Sequence, residues 1–126
     1  MKQEEIMALM VEPLKEPRVV MLKTDLDSLQ KAVSIGADYQ GLIEIISLGD
    51  GTCILCNEEG KLIGLEGNRR IGHDIIAGVF YVVGENEEGD LISLTDQQLE
   101  FYEKRFFFPE YYAKEEVANH IFIAFC

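Results

Sequence analysis

Runs of apolar residues and their breaks divide the chain into short segments. Ile6-Met7-Ala8-Leu9-Met10-Val11 is a continuous apolar run of buried-strand length. Pro13 and Pro17 break it, and Arg18-Val19-Val20-Met21-Leu22-Lys23 follows as a second strand, β-branched at its centre. The two predict a hairpin with a wide loop. At Thr24-Asp25-Leu26-Asp27-Ser28 the pattern turns helical. Thr24 or Asp25 can cap the free amides, Asp27 suits the positive end of the helix dipole, and Leu26, Leu29 and Val33 share one face before Gly36 stops the helix.

From Gly41 the period becomes strand-like. Leu42 to Leu48, Thr52 to Cys56 and Lys61 to Leu65 read as three strands, joined by turns at Gly49-Asp50-Gly51 and Asn57-Glu58-Glu59-Gly60. Connections this short force antiparallel pairing, because a parallel pair needs a long crossover. Gly64 to Asp74 reads as a polar, glycine-rich loop. Ile75 to Val83 reads as one central strand, with a short helical turn allowed at Asp74 to Ala77. Glu85 to Asp90 is a solvated turn, and Leu91 to Leu94 closes another hairpin. Thr95-Asp96-Gln97-Gln98 has the form of a capping box, and Leu99, Tyr102 and Phe106 follow at helical spacing until Pro109. Beyond it lie a second candidate helix, Tyr111 to Asn119, and an apolar run, Ile121 to Phe125. Exposed, that run would be an aggregation hazard, so it is expected as an edge strand or a homodimer contact. The whole, residues 1–126, predicts a single α+β domain: a mostly antiparallel, curved sheet with two packed helices.

Composition narrows the function classes. With 126 residues and 48 % apolar content the chain can bury one core. Eleven Lys and Arg against 23 Asp and Glu leave a net charge of −12. That charge disfavours nucleic-acid binding and anionic membrane surfaces, both of which need clustered Lys and Arg. It either keeps the protein in solution or forms an acidic face that imitates DNA. Three cysteines, an odd number, and an acidic N-terminus without an apolar leader point to a reducing cytoplasm.

No motif specifies a reaction. Cys53-Ile54-Leu55-Cys56 has C-x-x-C spacing, but it lies in a predicted strand, where residues three apart point to opposite faces. Two ordinary buried or half-buried thiols are expected, with no metal site and no cofactor. His73 and His120 are the two histidines, and neither falls in a catalytic motif, so no catalytic residue is assigned. The stretch Asn57 to His73 is richer. Lys61, Arg69 and Arg70 accompany Gly60, Gly64, Gly67 and Gly72, and Asn57 and Asn68 add two amides. Arginine forks with close backbone amides can grip a carboxylate or phosphate. The same residues also suit two structural turns. Asn57, Lys61, Asn68, Arg69, Arg70 and His73 are the candidate ligand- or partner-binding residues. A binding role for Arg69 and Arg70 predicts that their loss abolishes binding and spares stability; a structural role predicts unfolding. Core packing explains Phe106 and one neighbour, but Phe106-Phe107-Phe108 cannot all face one core, so one of them is expected to cover the tail strand or a partner.

Several segments together resemble one family. They are Val11-Glu12-Pro13 with Glu16-Pro17-Arg18-Val19-Val20, Leu26 with Leu29-Gln30, and Cys56-Asn57-Glu58-Glu59-Gly60-Lys61-Leu62. Gly64-Leu65, Asn68-Arg69, Ile76-Ala77-Gly78, Phe80, Val83-Gly84 and Ser93-Leu94-Thr95 continue the pattern. In order and spacing they are similar to the family called domain of unknown function 3846, over about Ile6 to Phe106. The resemblance implies a product of phages, plasmids or integrative elements, with no activity attached. It also implies weight on the Asn57-to-Gly60 turn and on Asn68-Arg69. The expectation is a non-enzymatic accessory protein that binds a protein partner in the bacterial cytoplasm, in one version to counter a defence system. The alternative is a binder of a nucleotide or other small anion at the Asn57–His73 stretch.

Overall fold

The computed structural model describes residues 4–118. The elements run β1 (Glu5–Val11), β2 (Arg18–Lys23), α1 (Leu26–Ala32), β3 (Ile43–Ser47), β4 (Thr52–Asn57), β5 (Gly67–Ile71), β6 (Asp74–Ala77), β7 (Phe80–Glu85), β8 (Leu91–Ile92) and α2 (Asp96–Arg105). The main sheet has the order β2-β1-β7-β4-β3, with β8 added beside β7, and β5 and β6 form a separate hairpin. Every one of these pairings is antiparallel. The α+β class and the two helices packed on an antiparallel sheet are as the sequence predicts.

Strand alternation gives the sheet two apolar faces. One face carries Ile6, Ala8, Met10, Cys53, Leu55, Tyr81 and Val83 and is covered by Leu29 and Val33 at α1. The other carries Leu9, Val11, Ile54, Cys56, Phe80 and Val82 and is covered by Leu99, Tyr102 and Phe106 of α2. The sheet is therefore the middle layer of three. β4 is buried along its whole length, as a strand covered on both faces must be. Cys53 and Cys56 fall on opposite faces, as their spacing requires.

Local caps set the helix starts. Asp25 accepts from the Ser28 amide at 3.0 Å and starts α1. Thr95 and Gln98 form the reciprocal capping box of α2. Leu26 departs from the expected face: it is 65 % exposed, while Leu29 and Val33 are buried.

Several expectations are corrected. Lys61 to Leu65 forms helical turns, not a strand, closed by the Ile63 amide on the Glu59 carbonyl and the Leu65 amide on the Gly60 carbonyl. The polar stretch before Asp74 is largely strand, β5. Ile75 to Val83 is two strands, because Gly78 adopts φ +85° and turns the chain between β6 and β7. The helical turn allowed at Asp74 to Ala77 is β6. Of the second candidate helix, 114–118 is helical and 111–113 is not. Asn119, His120 and the run Ile121 to Phe125, with its edge-strand or homodimer contact, lie outside the described residues. No helix among the described residues is long and apolar enough to cross a membrane.

Candidate functional site

The β5–β6 hairpin holds four of the six candidate residues or their neighbours, and it divides them between interior and solvent. β5 is buried at Gly67, Asn68 and Arg69 and opens to solvent at Arg70. The Asn68 amide nitrogen donates to the Val11 carbonyl and to the Gly78 carbonyl, both at 2.8 Å. Its Oδ1 accepts from Arg69 Nη1 at 2.8 Å. Asn68 thus ties the hairpin to the end of β1 and to the β6–β7 corner.

Arg69 is fully buried. Its Nε and Nη2 donate to the Phe106 carbonyl at 3.1 and 2.8 Å, and Nη2 also donates to the Lys15 carbonyl at 2.7 Å. A buried cation is costly unless its donors are used. Here backbone carbonyls use them, one at the negative end of the α2 dipole. Burial pulls the guanidinium below its ordinary range, and the Glu110 carboxylate opposes that pull. Arginine stays charged at any physiological pH regardless.

The other four candidates lie outside this buried hydrogen-bond network: Arg70 and His73 on the solvent side of the hairpin, Asn57 and Lys61 before it. Arg70 lies with its guanidinium 5.7 Å from the Tyr112 ring centre, and its amide donates to Glu110 at 2.9 Å. Tyr112 donates to the same Glu110. This cluster draws the segment after α2 across β5, where Gly67 allows it: a Cβ there would come within 2.9 Å of Val117 Cγ2. Lys61 is ion-paired with Asp74. Asn57 accepts from the Glu59 amide at 2.8 Å and so shapes its own turn. His73 is exposed in the turn after Gly72. A cavity of about 160 Å³ is lined by Lys61, Leu65, Gly67, Tyr112, Lys114 and Val117. Lys61 is the one candidate side chain that reaches it.

The two thiols are sheltered. Burial, reinforced by Glu85 for Cys53 and Glu44 for Cys56, pushes both up to about 12. Neither is a nucleophile near neutral pH.

A different surface emerges where α2 ends. Phe106 is buried, Phe107 is 44 % exposed and Phe108 is 76 % exposed, so Phe106 alone enters the core and the expectation that one neighbour joins it is corrected. Phe101 and Tyr111 are also exposed, at 58 % and 76 %. Phe101 lines a groove of about 580 Å³ with Gln97, Glu100, Lys104 and Arg105. Sequence reasoning left Phe101 unassigned; its one available signal was its place off the Leu99–Tyr102–Phe106 face.

Comparison with known proteins adds the family and nothing further. No curated protein matches the chain, and no solved structure matches it. The family model described as domain of unknown function (DUF3846) matches residues 5–107, which include α1, α2 and β1 to β8. The chain belongs to that family.

Proposed function

We propose that this protein is a non-enzymatic interaction protein of a phage or other mobile element, working in the bacterial cytoplasm, and that it binds a protein partner through the aromatic surface at the end of α2. The observation that carries this reading is the exposure of Phe101, Phe107, Phe108 and Tyr111 within one short stretch. Exposed aromatics in this number mark an interaction surface in a protein of this size. Glu100, Glu103 and Glu110 stand among them with Lys104 and Arg105, Glu100 ion-paired with Lys104, and the net charge of the whole chain is −12. The fitting partner offers an apolar pocket rimmed by Lys and Arg. Disabling a host defence protein is the biological role this suits. Asn68 and Arg69 meanwhile spend their hydrogen bonds inside the fold, which moves weight away from the hairpin as a docking site.

The test is recovery of partners from host lysate by the wild-type chain and by a Phe101→Ser/Phe108→Ser variant. The expected result is a partner retained at low salt, reduced at least about tenfold by the variant or by high salt, with the variant's melting temperature unchanged. Equal recovery by both proteins overturns the reading.

A second reading, a small anion-binding protein, keeps one supporting observation: Lys61 and Lys114 both line the cavity of about 160 Å³. That is smaller than the usual ligand cleft of roughly 300–1,000 Å³. Thermal-shift screening with nucleotides and inorganic phosphate tests it. Stabilisation that disappears in Lys61→Ala supports it, and a flat screen removes it.

A further inference from the structure

We infer that the edge of β3, unpaired among the described residues, is the contact of a symmetric homodimer, in which two copies join their sheets β3 to β3, antiparallel and centred on Ile45. The sheet has two outer strands, β2 and β3. β2 is guarded, with Arg18 and Lys23 at its ends and Pro17 just before it. Charge and proline are the usual protection of an edge against added strands. β3 has no basic residue and no proline. Its one charge is Glu44, set among Ile43, Ile45 and Ile46, and Leu42 and Ile45 are each 55 % exposed.

The direction of the backbone groups follows from the register. The Leu48 amide donates to the Thr52 carbonyl, and the Glu58 amide to the Leu42 carbonyl. Between them Glu44 lies opposite Cys56 and Ile46 opposite Ile54. Hydrogen-bonded pairs alternate along an antiparallel ladder. The even-numbered residues therefore turn their backbone groups to β4, and Ile43, Ile45 and Ser47 turn theirs outward. Among the described residues, β4 is the one strand that pairs with β3.

The residue pattern is self-complementary about one point. A two-fold axis normal to the sheet at Ile45 opposes Ile45 to its own copy, Leu42 to Leu48, Ile43 to Ser47 and Glu44 to Ile46. The outward groups of Ile43, Ile45 and Ser47 then satisfy those of the second copy. Apolar side chains meet on both faces of the joined sheet. Centring on Glu44 instead would set two carboxylates directly opposite, a destabilising pair. Centring on Ile46 would oppose Leu42 to Asp50. Ile45 is the centre that avoids both. This inference is independent of the aromatic surface on α2 and carries the opposite salt signature. Two copies of charge −12 repel, so salt should tighten the dimer, whereas it should weaken a charge-matched partner.

The experiment is sedimentation of the full chain from about 1 to about 200 µM, at low and high salt, with Ile45→Lys and Met21→Lys. Met21 is the matching exposed residue of the other edge, at 58 %. The expected result is a dimer strengthened by salt, weakened at least about tenfold by Ile45→Lys and unaffected by Met21→Lys, with circular dichroism unchanged. Ile45→Cys in a Cys126→Ser background should cross-link through position 45, because Cα atoms of such a pair lie about 5.5 Å apart. A wild-type monomer throughout overturns the inference. So does a dimer indifferent to Ile45→Lys, and absence of the cross-link overturns the Ile45-centred register.

Discussion

One carbonyl oxygen, that of Phe106 at the C-cap of α2, accepts two hydrogen bonds from a single side chain, Arg69, 37 residues away in the chain. The last carbonyls of a helix have no partner within it. Arg69 supplies one and places a positive charge at the negative end of the dipole. Through Lys15 and Asn68 the same guanidinium reaches the β1–β2 loop and the β1 terminus. The arginine is the joint at which the hairpin, the helix and the main sheet meet.

Removing it should therefore cost stability. Arg69→Ala leaves the Phe106 and Lys15 carbonyls and the Asn68 Oδ1 without their donors in a buried site. The expected loss is about 3 kcal/mol or more, a large share of the stability of a domain this size. Arg70→Ala, at an exposed position, should cost less than about 1 kcal/mol. Thermal unfolding followed by circular dichroism separates the two. A folded, stable Arg69→Ala protein would show that the joint is dispensable.

Tyr102 reaches from α2 to the turn between β3 and β4. Its hydroxyl donates to Asp50 Oδ2 at 2.6 Å and lies 3.0 Å from Thr52 Oγ1. Burial works against ionisation of Asp50, but hydrogen bonds from the Thr52 and Tyr102 hydroxyls and the Thr52 amide outweigh it and hold the carboxyl below its ordinary value of 3.8. A carboxylate depressed in the folded state adds stability above its unfolded value and loses it as pH falls through the folded one. Tyr102→Phe should cost about 1–2 kcal/mol at pH 7, and less once Asp50 is protonated. Urea unfolding at neutral pH and at a series of pH values falling well below 3.8 measures the difference. A penalty that grows on acidification would contradict this account.

Gly78 makes the corner that splits β6 from β7. At φ +85° an added Cβ would lie 2.7 Å from Leu65 Cδ1. Gly78→Ala should destabilise by about 2 kcal/mol or more, since the left-handed backbone alone costs an alanine about 1–2 kcal/mol. Gly89 has the same φ of +85° and open space around it, so Gly89→Ala should show the backbone cost alone. Equal losses in the two variants would mean that the contact with Leu65 relaxes freely.

Cys53 and Cys56 should be silent to thiol reagents. With both thiols pushed up to about 12, a Cys126→Ser protein should label with a disulfide reagent at mildly alkaline pH only after denaturation. Prompt labelling of the native protein would mean that β4 opens far more readily than its burial implies.

Of the fold, the parts that depend on neighbours in sequence were legible from the chain. The apolar runs of β1 and β4, the β-branched centre of β2, the Asp25 cap and the Thr95–Gln98 box are read within a few residues, because strand period and capping act over that range. Cys53 and Cys56 were assigned to opposite faces by spacing alone. The placement of Asn68 and Arg69 was not legible. A glycine-rich stretch with arginines has the same composition whether it faces a ligand or a carbonyl. The choice rests on Val11, Lys15 and Phe106, which the tertiary structure alone brings to one point. The break at Gly78 and the helical turns at 61–64 were decided the same way, by what packs against them. Burial and partner choice are properties of contacts distant in sequence, and periodicity carries no record of those.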